Sequence, residues 1–152
     1  MYDDVIRYSE RAREICQNWL PVILENCLSK DFSTVQAATY GLGVSAEVLP
    51  AFSHYLVNSI QILVNIIVNF NRKKKKEGKI VENSISALAK IVLFHHTILN
   101  NAQQTFNYEG LKIATITDFK ALMNFWLATL PVSLDQLECV VIYSQLCRFI
   151  TM

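Results

Sequence analysis

The sequence predicts an all-α protein, an α-α superhelix of about three antiparallel helix pairs. Three observations carry that expectation. Breakers are scarce, with four glycines and three prolines in 152 residues, and no strictly alternating apolar pattern runs beyond a few positions. Helical periodicity instead fills stretches at about 9–28, 32–47, 51–70, 79–95, 118–129 and 134–150, which group as pairs over about 9–47, 51–95 and 118–150. The second helices of the pairs also resemble one another. VQAATYGLGVSA from Val35, VENSISALAKIV from Val81 and LECVVIYSQLCRF from Leu137 each open on an apolar residue followed by Gln or Glu, then small residues, then an apolar stripe.

Each element has a local reason. Pro21 removes a backbone donor inside the first helix and crowds the preceding turn, so a kink is expected there. LSKDF closes the first hairpin, with Asp31 placed to cap the second helix. In that helix Ala37, Ala38, Gly41 and Gly43 permit a close approach while Leu42 and Val44 fill a core. A helical glycine costs about 1 kcal/mol relative to alanine, so Gly41 and Gly43 are expected to face a packed helix rather than a phosphate. Pro50 suits a first helical turn. The third helix, AFSHYLVNSIQILVNIIVNF, could pass for a membrane span, but Asn58, Gln61, Asn65 and Asn69 make one polar stripe along it. It reads as a largely buried helix with a polar seam, outside any membrane. The fourth helix repeats the small-residue pattern at Ser84, Ala87 and Ala89, with Ile85, Leu88 and Ile91 facing a core. A connection from His95 to Thr117 leads to the last pair, where Pro131 ends one helix and Ser133 is placed to cap the next. Offsets of 46 and 56 residues between second helices, with two helices per repeat, are the mark of a HEAT-type solenoid.

Hydrophobic residues make up 52% of the chain, ample for a continuous core and incompatible with disorder. The net charge of +1 hides an uneven distribution. Arg72 to Lys79 holds six basic residues and one acidic, leaving eight basic and twelve acidic residues elsewhere, a body of net −4. The basic run reads as a solvated loop over 71–79, because adjacent like charges repel and Asn71 and Gly78 supply breaks. Cys16, Cys27, Cys139 and Cys147 lack metal or disulfide spacing and are expected to be buried free thiols of a reducing compartment. The N-terminal MYDDVIRYSERARE has no apolar signal core, in keeping with an intracellular setting.

At the small-residue helix the sequence begins to resemble a known family. QAATYGLGVSAE, VENSISALAKIV and FWLATLPVSLDQLECVVIYSQLCRFI closely resemble successive segments near the C-terminal end of importin-β (karyopherin-β) nuclear transport receptors, of the importin beta-3 type. YDDVI resembles that family's phenylalanine-aspartate-aspartate-valine-isoleucine stretch just upstream. Trp126, Leu127, Leu130 and Pro131, followed by Asp135 and then Leu146 and Cys147, are the most specific part of the match. Gln36 departs from it, standing where HEAT helices often carry arginine. The resemblance implies a single segment, 1–152, of a longer solenoid, working in cytoplasm and nucleus and at the nuclear pore. In the complete receptor it implies cargo with basic signals and Ran-GTP on the inner surface of second helices, and phenylalanine-glycine nucleoporins between first helices outside.

Catalysis finds no support in the residues. His95 and His96 are adjacent, so their side chains diverge by about 100° on a helix and do not converge on one metal. YGLGVSA lacks the lysine of a phosphate loop, and no Ser/His/Asp grouping can be assembled. A non-enzymatic protein without metal or cofactor is expected. The candidate binding residues are acidic: Glu47, Glu82, Asp135 and Glu138 on second helices could form an inner face for basic cargo. The competing explanation is helix capping, since Glu82 and Asp135 fall near helix N-termini. Arg72, Lys73, Lys74, Lys75 and Lys76 are a candidate contact loop, and a nucleic-acid binder using them would weaken steeply with salt. A HEAT scaffold outside transport is the other alternative. Phe119, Phe125, Trp126 and Trp19 are expected in hairpin cores.

Overall fold

The computed structural model describes residues 2–101 and 106–151, with backbone alone for Tyr2–Asp4; the Ala102–Thr105 part of the expected connection lies outside the described residues. The protein is all-α, an α-α superhelix of HEAT type. The first pair comprises α1 (Tyr2–Tyr8), α2 (Glu10–Cys16), a 3-10 turn (Gln17–Trp19), α3 (Leu20–Asn26) and α4 (Phe32–Val48). The second comprises a 3-10 turn (Pro50–Tyr55), α5 (Leu56–Asn69) and α6 (Lys75–Asn100). The third comprises α7 (Phe119–Ala128) and α8 (Gln136–Ile150), preceded by a 3-10 turn at Tyr108–Leu111.

The second helices form one layer, α4 against α6 and α6 against α8, while α3, α5 and α7 pack on the other side. The central position of α6 shows in its burial: every residue from Ile80 to Leu93 is buried, polar ones included. A helix apolar on one face only would leave a solvent stripe, so burial all round marks neighbours on every side. Gly43 makes the α4–α6 approach possible, because a Cβ there would sit 3.0 Å from Ala87 Cα. Gly41 is likewise buried in α4.

Several local expectations are corrected. Pro21 does more than kink the first helix: it stands in the first turn of α3, and the stretch breaks into α2, a 3-10 turn and α3. The helix after the lysine run starts at Lys75, not near 79, so the loop is confined to about 70–74. Glu77 explains the early start, accepting from Asn71 N at 2.7 Å and Lys74 Nζ at 3.0 Å, which closes the turn and neutralises one charge of the run. Gly78 is no breaker either. It is buried in α6, where a Cβ would overlap Leu134 Cδ1 and lie 2.6 Å from Arg72 O. At the third hairpin Asp135, not Ser133, caps α8, its Oδ1 accepting from Leu137 N and Glu138 N at 3.1 and 3.4 Å. Asp31 caps α4 through Thr34 N at 2.8 Å, as the sequence suggests.

Helix α6 runs through the histidines and kinks at His95 (φ −119°, ψ 17°). The His95 ring is stacked 5.3 Å from Phe52, with Nε2 2.9 Å from Ala46 O, so it is a half-buried joint rather than an exposed helix end. The described part of the following connection is folded in: Phe106, Tyr108, Leu111 and Ile116 are buried, and the Tyr108 hydroxyl donates to Leu99 O at 2.9 Å. Trp126 is fully buried, its Nε1 donating to Ile85 O at 3.2 Å, and Phe119 and Phe125 pack against the core. Trp19 is 56% exposed, contrary to expectation: it ends the 3-10 turn Gln17–Trp19 that replaces continuous helix there, and no residue of that turn is buried. The cysteines are free; burial pushes the Cys27 thiol up to about 12, whereas Cys147 is exposed and Cys16 and Cys139 half-buried.

Pro50–Asn69 is long and apolar enough to cross a membrane by length and composition. In the fold, Leu56, Ser59, Ile60, Leu63, Val64 and Ile66 are buried, and Asn58, Asn65 and Asn69 form the exposed seam.

Candidate functional site

The four acidic candidates divide into separate roles. Glu82 is fully buried and points out of the groove face into the third hairpin. Its two oxygens accept from Ser133 N (2.8 Å), Leu134 N (2.9 and 3.0 Å) and Asp135 N (2.7 Å), three donors ahead of α8 that no intrahelical carbonyl can reach. Arg72 completes the joint: its guanidinium donates to Thr129 O at 2.7 Å and to Pro131 O, and stands 3.8 Å from Glu82. The Leu130–Pro131 peptide in this turn is cis. Glu82 therefore caps, but the next hairpin rather than its own helix, and it is not part of an exposed acidic face.

Glu47 lies near the far end of α4, bound by Arg7 at 2.9 and 3.0 Å and by Lys90 at 3.7 Å. Burial pushes its carboxyl up, but the Arg7 hydrogen bonds and the two positive charges outweigh that and leave it below the ordinary value. Lys90, itself buried, also lies 5.7 Å from the Tyr40 ring centroid. The Glu47 carboxylate is thus already paired with two cations within the chain and is not a free acidic group of an inner face.

Asp135 and Glu138 do share a surface. A groove of about 490 Å³ crosses all three second helices, lined by Gln36 and Tyr40 of α4, Asn83 of α6, and Asp135, Glu138 and Val141 at the start of α8, among others. Gln36, Asn83 and Glu138 stand side by side along it, with Asn83 Nδ2 donating to Gln36 O at 3.3 Å. The sequence pattern pairs Gln36 with Glu82; the structure pairs it with Asn83, one residue on. Only a shared groove reveals this, since Glu82 and Asn83 are both polar and both follow the apolar Val81.

The basic candidates divide as well. Arg72 is tied into the hairpin joint, Lys74 pairs with Glu77, and Lys73, Lys75 and Lys76 are exposed. Lys76 also adds its charge to the Thr34 hydrogen bonds that hold the Asp31 carboxyl below its ordinary range. A second groove of about 530 Å³ is lined by Leu24 and Glu25 of α3, Leu28 just past it, Asn58, Gln61, Ile62 and Asn65 of α5, and Lys112, placing the polar seam of α5 beside the end of α3. Sequence reasoning finds the seam but not its partner. Among the described residues, no three His, Cys, Asp or Glu side chains converge to hold a metal ion.

These features define a class: a helical-repeat protein whose surface features are grooves across and between stacked helices. No family model matches the chain. It is similar to importin subunit beta-3 of Saccharomyces cerevisiae, 28% identical over 121 residues covering 78% of this chain, and to a probable importin-5 homolog of Dictyostelium discoideum, 29% identical over 155 residues covering 97%. The chain spans 11% and 13% of the lengths of these curated relatives. At such identities the similarity supports the importin-β family and no particular member of it.

Proposed function

We propose that this chain is a non-enzymatic segment of an importin-β type nuclear transport receptor, of the importin beta-3 kind, contributing a protein-binding surface to cargo import under Ran-GTP control. The observation that carries the reading is the similarity to two importins over most of the chain, in a fold with an unbroken second-helix layer. Cargo proteins with basic signals would meet that layer, where Asp135 and Glu138 supply the acidic side of the groove. Phenylalanine-glycine nucleoporins would meet the first-helix side, where Leu24, Leu28 and Ile62 offer apolar contact beside the Asn58 and Asn65 amides. Ran-GTP would act through other repeats of the complete receptor. Such a protein works in cytoplasm and nucleus and at the nuclear pore.

The test uses the complete reading frame that contains these 152 codons, immobilised and loaded with a cargo carrying a basic signal. Release of the cargo on adding Ran-GTP is the expected result. Cargo held equally with and without Ran-GTP would overturn the transport reading in favour of a HEAT scaffold with another role.

A further inference from the structure

The lysine run is a strongly charged stretch that neither groove absorbs. Two hairpin turns form its surroundings: the turn after α3, over 27–31, and the turn after α5, which enters α6 at Lys75. The turns are neighbours, since Phe32 meets Phe70 edge-on with ring centroids 6.0 Å apart and the Lys76 charge reaches Asp31. Lys30, Lys73, Lys75 and Lys76 are all exposed, and their ammonium groups make no ion pair among the described residues. The acids of the two turns are already in use, Asp31 on Thr34 N and Glu77 on Lys74 and Asn71 N. Because the rest of the chain is net −4, positive potential concentrates on this edge. Lys75 and Lys76 also stand in the first turn of a 26-residue helix, where cations oppose the helix dipole, and the N-cap residue Lys74 makes no side-chain capping bond. Such clustering is unfavourable in the free chain and is relieved by an external anion.

We propose that this edge is a docking surface for single-stranded nucleic acid, with phosphates on Lys30, Lys73, Lys75 and Lys76 and one base against the Phe32 ring. Two observations favour this partner over an acidic protein segment. The free cations are lysines, point charges that meet a phosphate from any direction, whereas the guanidinium of Arg72, whose fork suits carboxylates, is spent on Thr129 O and Pro131 O. Phe32 is 41% exposed among those lysines, and an aromatic face beside cations is what an unpaired base stacks on. A duplex keeps its bases stacked on one another and has no use for that ring. Lys30, Phe32 and the lysine run line neither groove, so the inference stands apart from the transport reading.

The test is fluorescence anisotropy of a short labelled oligothymidylate titrated with the 152-residue chain. Four neutralised phosphates predict a log-log salt slope of about −3, an affinity loss of roughly 50-fold between about 50 and 200 mM salt. Lys73→Gln, Lys75→Gln and Lys76→Gln together should reduce the slope to about −1, with the melting temperature held because all three side chains are exposed. Phe32→Leu should weaken binding about fivefold or more and leave the slope unchanged, the mark of a lost stacking contact. A glutamate peptide of equal charge should compete poorly. No binding at low salt, binding undiminished by the lysine substitutions or by Phe32→Leu, or equal displacement by the glutamate peptide would overturn the proposal, the last in favour of an acidic protein partner.

Discussion

Glu82 shows how much a single side chain can hold together. It accepts from three consecutive backbone N–H groups at the entry to α8 while standing inside α6, so two repeats share one carboxylate. Replacing one oxygen by an amide removes an acceptor and presents a donor to other donors. Glu82→Gln should therefore lower stability by about 2–4 kcal/mol, read from urea unfolding, whereas Glu109→Gln, on the 3-10 turn, should change it little. His95 supplies a pH dependence. Burial lowers its pKa below the ordinary 6.5, only partly offset by the bond to Ala46 O, so the native state keeps the ring neutral. The unfolded chain binds the extra proton below about 6.5, so this contribution is complete above that pH and declines as pH falls below it. Melting temperature should drop between about pH 7 and 5, and His95→Gln should flatten that drop; an unchanged slope would assign it to other groups. The residue type of Glu82 is plain in the sequence, and so is a capping role. Its partners lie some fifty positions later, and no local pattern points to them.

Helices are the best-read scale. Periodicity gives α4, α7 and α8 to within about two residues, as expected of long periodic stretches, and the end of α5, whose expected first turns are instead the 3-10 turn Pro50–Tyr55. The errors cluster where tertiary contacts outweigh local preference. Five clustered charges argue for a loop through Lys79, yet the Glu77 bonds to Asn71 and Lys74 start α6 at Lys75, and Gly78 is packed beneath Leu134. Gly78 and Gly43 follow the same logic, small residues where two pieces of backbone come close. Gly43→Val should cost about 1–3 kcal/mol by overpacking against Ala87, despite removing a glycine from a helix. A neutral or stabilising result in thermal unfolding would mean that the α4–α6 contact is looser than its 3.0 Å approach implies. The acidic quartet is legible only as residue types: a helical repeat places all four on second helices, but which way each side chain turns depends on single-residue register, and Glu82 and Asn83 exchange roles through it.

At the scale of the molecule, burial grades along the stack. Helix α6 is buried all round from Ile80 to Leu93, whereas α8 leaves Leu137 at 81%, Val140 at 71% and Ile150 at 77% exposure, an apolar face of the kind α6 covers with a neighbour. Because those side chains are mostly exposed among the described residues, Leu137→Lys with Val140→Lys should shift stability by no more than about 0.5 kcal/mol. The same change should reduce any concentration-dependent association in sedimentation; a large loss of stability would mean that the face already has a partner within the chain. Fold class, hairpin order and the first-helix polar seam are readable from composition and period, and the family resemblance from a few segments such as Trp126 to Pro131. The groove is not, because it needs three helices brought together from positions about fifty residues apart. The most direct measurement of the central claim is the coding sequence on either side of these 152 codons. A receptor segment predicts further helix pairs at a period of about 40–47 residues, with a Ran-binding region toward the N-terminus. A reading frame that closes on both sides without another helix pair would contradict it.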